Sequence, residues 1–235
     1  MTFDLFLAPA DARRATRVLE KLARCGLRDF ALTGGLAIEA HLAHMRSLND
    51  MDLVVESFAA LPPALADGFL FRHIHPHAPA GKTLVQLVDP GEALRIDIFR
   101  ACGATLARSE PLDFAMGAPP VVALEDLAAR EASLLMDLAY GSPVPRKHAQ
   151  DFQRLVRAID SDRIGAAWAD QRKSRDPETF QEAAARIAVL IQSRADLLAK
   201  PDYSHDADAV CPKCRETEAF RLAPPRTILS ILGYC

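Results

Sequence analysis

Apolar and polar positions alternate along this chain with two periods. Over residues 9–25, Ala15, Val18, Leu19 and Leu22 recur at helical spacing, with Arg13, Arg14, Arg17 and Lys21 largely on other faces. This predicts an amphipathic helix stopped at Gly26. Phe30-Ala31-Leu32 predicts a strand, and Gly34-Gly35 a turn into a helix running to about Met45. The period then changes to two. In Asn49–Val55, Asp50 and Asp52 fall on one strand face and Met51, Leu53 and Val55 on the other. In Ala93–Phe99, Arg95, Asp97 and Phe99 share one face and Leu94, Ile96 and Ile98 the other. Between these segments lie a short helix over 57–66 broken at Pro62-Pro63, and a strand starting at Phe69. A further strand, Thr83–Val88, precedes the turn Asp89-Pro90-Gly91, so the sheet is extended by a hairpin.

The texture changes again after a loop-like stretch, Cys102–Pro120. Leu124, Leu127, Leu134, Leu135 and Leu138 mark one long helix ending at Gly141, and a second helix begins near Arg146. Asp176-Pro177-Glu178 starts a helix that runs to about Leu198, and Trp168 belongs in this helical packing. The expected class is α/β (α+β). A mixed-sheet core over 1–120 precedes a helical region over 121–200 and a short cysteine-containing tail over 201–235.

Composition narrows the function. Half of the residues are hydrophobic, which suffices for a sizeable core, and the net charge of −3 does not announce a nucleic-acid binder. No apolar run is long enough to span a membrane and no signal peptide opens the chain. Five unevenly spaced cysteines fit a reducing, cytoplasmic setting. The one basic stretch, 146–175, sets eight Lys or Arg against four Asp, the composition of a solvated helical face or of a surface touching an acceptor such as tRNA.

The chemistry concentrates at the carboxylates. Asp50 and Asp52 point the same way and repel each other unless a cation sits between them. If the Asp97 strand lies beside theirs, three carboxylates converge, as needed to hold two magnesium ions against a nucleoside triphosphate. Gly34-Gly35 offers a bare backbone that a phosphate can approach.

With Gly-Gly, a helix, Asp-x-Asp on a strand and a later single Asp, the chain resembles the polymerase-beta-type nucleotidyltransferase superfamily. The likeness covers about the first two thirds of the chain. It is nearest to the small bacterial branch of abortive-infection toxin-type and lincosamide-modifying enzymes, which suggests a toxin–antitoxin-like setting. Gly34, Gly35, Ala37 and Ile38 match that branch's turn, Arg46 its arginine, and Asp50 and Asp52 its pair, whereas Leu48 stands where Thr or Ser is frequent. The resemblance implies that Asp50, Asp52 and Asp97 are catalytic and bind Mg2+. It implies nucleotide contacts from Thr33, Gly34, Gly35 and Arg46. Lys147 and Asp151, four apart on one helix, match a Lys–Asp pair that leans on a phosphate, and are equally read as a surface ion pair. Arg130-Glu131 stands where a further Lys is frequent.

Other residues carry rival readings. His73, His75 and His77 invite a metal site but read better as strand and loop residues; Lys82 reads as a turn lysine and Cys102 as a small buried side chain. Cys211-Pro212-Lys213-Cys214 has the form of a zinc knuckle, with Cys235 and His205 as the remaining ligands of a Zn2+ site, against a redox pair or a relic of a ribbon. The expected activity is metal-dependent transfer of a nucleoside monophosphate from a triphosphate to an acceptor hydroxyl on a small molecule, a tRNA or a protein. The alternatives are a catalytically weakened nucleotide- or partner-binding module of the same fold, and a zinc-tailed nucleic-acid-interacting protein.

Overall fold

A computed structural model describes residues 6–44, 47–74, 84–111 and 119–199, with backbone alone at 71–74 and 84. These fall into two compact units, one within 6–101 and 109–121, the other comprising 102–108 and 122–199. The architecture is mixed α/β, with a five-stranded mixed sheet in the first unit and helices dominating the second. Among the described residues no helix is long and apolar enough to cross a membrane.

The first unit opens with α1 (Pro9–Arg24), whose buried stripe is Ala12, Ala15, Val18 and Leu22. Gly26, at φ +89°, closes it: the Gly26 and Leu27 amides donate to the Ala23 and Leu22 carbonyls. β1 (Phe30–Thr33) is buried throughout and runs directly into α2 (Gly34–Leu42). That helix stops short of Met45, because Ala43 adopts a left-handed conformation and its amide closes on Glu39. β2 (Asp50–Val55), a four-residue helix α3 (Leu65–Gly68), β3 (Leu70–Ile74), β4 (Leu84–Asp89) and β5 (Leu94–Arg100) follow.

The sheet order is β1-β2-β5-β4-β3, with β2 and β5 parallel and every other pair antiparallel. The period-two pattern sets each strand's faces. Leu94, Ile96 and Ile98 are fully buried, as are Met51 and Leu53. Each such side chain contributes about 2 kcal/mol of burial free energy. The outer edge of β1 is partly covered, since the Leu32 amide donates to the Pro120 carbonyl at 2.8 Å.

Three of the basic residues on α1 do more than face solvent. Lys21 meets Asp89 at 3.1 Å, Arg17 forks onto the Glu92 carboxylate, and Arg14 donates to the Glu92 carbonyl at 3.0 Å. Asp89, 2 % exposed, also accepts from the Gly91 and Glu92 amides, so the turn between β4 and β5 is fixed by its own first residue and clamped by α1.

The second unit holds α4 (Leu124–Leu135), β6 (Val144–Pro145), α5 (Arg146–Leu155), α6 (Ile164–Gln171), α7 (Phe180–Ser193) and β7 (Leu198–Ala199). The long helix expected to Gly141 is α-helical only to Leu135 and tightens into a 3-10 turn over Met136–Tyr140. α7 starts later than Asp176, because the Thr179 side chain caps it by accepting from the Glu182 amide. Trp168 is 1 % exposed, packs edge-on against Phe180 and donates from Nε1 to the Pro177 carbonyl at 3.0 Å.

The stretch 102–108, read from sequence as loop, is fixed to this unit by one polar cluster. Arg108 forks onto Asp126 (2.7 and 2.6 Å) and reaches Asp170 at 2.8 Å, while Thr105 donates to Asp126 at 2.9 Å. Asp170 also accepts from the Ala104 amide at 2.9 Å. Hydrogen bonds donated to the Asp126 side chain, then to Asp170, raise the Arg108 guanidinium above its ordinary value.

Candidate active site

The sheet brings two of the expected carboxylates into direct register. Asp52 on β2 and Asp97 on β5 are neighbouring partners in the parallel ladder, and Asp50 stands opposite Arg95. Side chains in register on adjacent strands lie on the same sheet face. Asp50, Asp52, Arg95 and Asp97 therefore share the face opposite the buried Met51, Leu53, Ile96 and Ile98.

Thr33 is the register partner of Asp52 from the other side, and the next residue begins α2. Gly34 has φ +62°, and a Cβ built on it would lie 1.9 Å from the Asp52 Oδ2 and 2.7 Å from its Cγ. The Asp52 carboxylate therefore fills the space that a side chain at residue 34 would need. Only glycine satisfies both the backbone and this contact. The first turn of α2 has no acidic residue and no side-chain cap from Thr33, which is itself buried. Backbone N–H groups at a helix start of this kind suit an anion.

Asp97 is buried and its two oxygens face different groups. Gln86, its register partner on β4, donates from Nε2 to Oδ1 at 2.8 Å, and Arg95 Nε lies 3.3 Å from Oδ2. The other end of the same guanidinium, NH2, is bonded to Asp50 Oδ2. Arg95 and Gln86 are the residues that sequence reading left without a role. Arg95 was legible in part, since it shares a face with Asp97 two residues on; Gln86 required knowledge of the β4–β5 register.

The remaining expected residues are distributed as follows. Gly35 lies in the first turn of α2. Lys147 and Asp151 stand one turn apart on α5 in the helical unit, where Asp151 is buried and 3.6 Å from Arg154. Glu131 is buried on α4 and bonds His148 Nδ1 at 2.7 Å. Arg46, Lys82, His75, His77, His205, Cys211, Cys214 and Cys235 lie outside the described residues. Cys102 is half-buried rather than buried, and burial pushes the Cys25 thiol above its ordinary value, away from thiolate chemistry.

The donor set can be tested for fit to a divalent cation. Among the described residues no three His, Cys, Asp or Glu side chains form a ready cage. Asp50 and Asp97 both face Arg95, and Asp52 and Asp97 stand in register as the pair nearest the glycine turn. Magnesium is commonly held by one or two carboxylates together with substrate phosphates and water rather than by an all-protein cage. The pair beside a helix start suited to an anion fits that mode.

No protein-family model matches the chain, and no curated protein does. Among solved structures it is similar to the antibiotic-resistance factor ANT(2'')-Ia, in a solution structure described as revealing substrate-regulated conformation dynamics. The TM-score is 0.49 and the identity 13 %, over 78 % of this chain and 96 % of that one. It is also similar to JHP933 from Helicobacter pylori (TM-score 0.36, 12 % identity, 82 % of this chain and 94 % of that one). A further likeness is to an H. pylori chain provisionally named a nucleotidyltransferase (TM-score 0.36, 12 % identity, 81 % and 97 % covered). These likenesses are distant; what the site can do follows from its own residues.

Proposed function

We propose that this protein transfers a nucleoside monophosphate from a triphosphate to an acceptor hydroxyl, with Mg2+ as cofactor. The observation that carries the reading is the register of Asp52 with Asp97 beside Gly34, whose lack of a side chain leaves room only for the Asp52 carboxylate. The chain's own Gly-Gly, Asp-x-Asp and later Asp supply the likeness to nucleotidyltransferases already described.

In this reading Asp50, Asp52 and Asp97 hold divalent cations together with the triphosphate. When bound, these supply charge stabilisation to the attacking and leaving oxygens. Gly34 and Gly35 donate backbone N–H groups to the phosphates. Asp97 takes the proton from the acceptor hydroxyl as its oxygen attacks the α-phosphorus, and pyrophosphate leaves. Gln86 orients Asp97 through Oδ1, and Oδ2, which Arg95 faces at 3.3 Å, is the oxygen that takes the proton.

The test uses triphosphates labelled at the α- or γ-phosphate, Mg2+ and a cell extract. Label from the α-position should enter an acceptor, and label from the γ-position should leave as pyrophosphate. No transfer of α-label to any acceptor with any of the four ribonucleotides overturns the reading. The bond between Arg95 and Asp50 favours a second reading, a module that binds nucleotide without transferring it. Calorimetry with and without Mg2+ separates the two: binding without turnover supports the module.

A further inference from the structure

We propose that Arg95 is a built-in counter-cation, a guanidinium that bridges Asp50 and Asp97 while no divalent cation is bound and is exchanged for it on loading. This rests on the transferase reading of the same face and adds an order of events to it. Arg95 bonds Asp50 Oδ2 through NH2 and lies 3.3 Å from Asp97 Oδ2 through Nε. Both oxygens belong to the carboxylates assigned to the cations. A carboxylate oxygen turned onto a guanidinium is a weaker ligand for a dication, because the two positive charges face each other across it.

The fork geometry matters. Arg95 is the register partner of Asp50 across the ladder and stands two residues before Asp97 on its own strand, so one planar group spans both neighbours. About a quarter of its side chain is exposed (23 %), as is that of Asp50 (22 %), so the group can leave without opening the core. Asp52 and Asp97 each have a further support on this face: Asp52 lies against Gly34, and Asp97 accepts from Gln86. Loading therefore exchanges one guanidinium for cations that arrive with a triphosphate. The displaced Arg95 keeps its charge and turns it toward the newly arrived phosphate oxygens. Metal without nucleotide competes with Arg95 and gains no such compensation, so the resting enzyme discriminates against the bare ion.

Mn2+ titration followed by electron paramagnetic resonance reads this exchange without turnover. The titration is run on wild type, Arg95→Gln and Arg95→Lys, with and without a triphosphate analogue carrying a methylene bridge between the α- and β-phosphates. Arg95→Gln should bind Mn2+ alone about tenfold more tightly than wild type, the scale on which a guanidinium neighbour shifts a carboxylate's proton affinity. With the analogue present, its affinity should move in the opposite direction. Arg95→Lys, a point charge without the fork, should fall between them and guards against a folding defect in the glutamine variant. Unchanged Mn2+ affinity in Arg95→Gln, with wild type binding Mn2+ and analogue together, overturns the counter-cation and leaves the transferase reading standing. Failure of wild type to bind Mn2+ even with the analogue, while Arg95→Gln binds it alone, supports the counter-cation and overturns the transferase reading.

Discussion

The protein contains two clusters in which one arginine meets two aspartates, and they are built to opposite ends. In the helical unit Arg108 faces Asp126 and Asp170, and both carboxylates accept further bonds, from the Thr105 hydroxyl and the Ala104 amide. Asp126 has no exposed side-chain surface. In the sheet unit Arg95 faces the half-buried Asp50 and the buried Asp97, and a third carboxylate, Asp52, stands in register with Asp97. The first cluster distributes its donors over both carboxylates and pins a turn. The second sets one guanidinium charge among three acids. Polar networks that are fully satisfied rigidify, whereas an excess of like charge is retained where something else binds.

The contrast can be broken in several ways. The largest effect is expected at the open cluster on activity alone. Asp52→Asn or Asp97→Asn should lower nucleotidyl transfer by about a thousandfold, a loss typical of groups that stabilise transition-state charge, while the melting temperature stays near wild type. Label transfer and a thermal melt check both halves of that statement. At the closed cluster the pattern reverses. Arg108→Gln should cost about 3 kcal/mol of stability, because it leaves Asp126 buried beside an unmatched partner. A urea midpoint measured at neutral pH reads it, and an unchanged midpoint would show that the cluster is ornamental.

Gly34→Ala lies between the two. It should destabilise by about 1–2 kcal/mol through the left-handed backbone alone, and further through its encounter with Asp52. Transfer should fall more than stability does, since Asp52 must shift to admit the methyl group. The smallest effect concerns the clamp on the β4–β5 turn. The hydrogen bond from the Arg17 side chain holds the Glu92 carboxyl below its ordinary value. The native state therefore binds that proton less readily than the unfolded chain does. The contribution is present above the unfolded value and fades as pH falls through the lowered one. Wild type should accordingly lose slightly more stability than Glu92→Gln on acidification into that range, as read by urea midpoints along a pH series. Equal losses would mean that this exposed pair contributes nothing.

The open cluster was more legible in the sequence than the closed one, and the reason is range. Asp50, Asp52, Arg95 and Asp97 announce their shared faces through period-two alternation within two short segments. Only the register that sets Asp52 beside Asp97 had to come from the fold. Arg108, Asp126 and Asp170 lie on a turn and two helices with no common period, so nothing local ties them together. For the same reason 102–108 read as loop. α6 was missed as an element because it is short and carries Gly165 near its start, and α7 was started too early because the Asp-Pro-Glu signal precedes the true cap, Thr179. Local signals located faces and turns; long-range bonds decided which of them matter.

The central position of β5 has a consequence for how the chain is made. Before Leu94 leaves the ribosome, β2 has only β1 to pair with and β4 only β3, and two-stranded ladders of that kind are marginal by themselves. β5 welds the two halves, and it brings Arg95 and Asp97 on the same seven-residue strand. The acid that completes the constellation is therefore born together with the base that quiets it, and at no stage of synthesis does the third aspartate reach the other two without its escort.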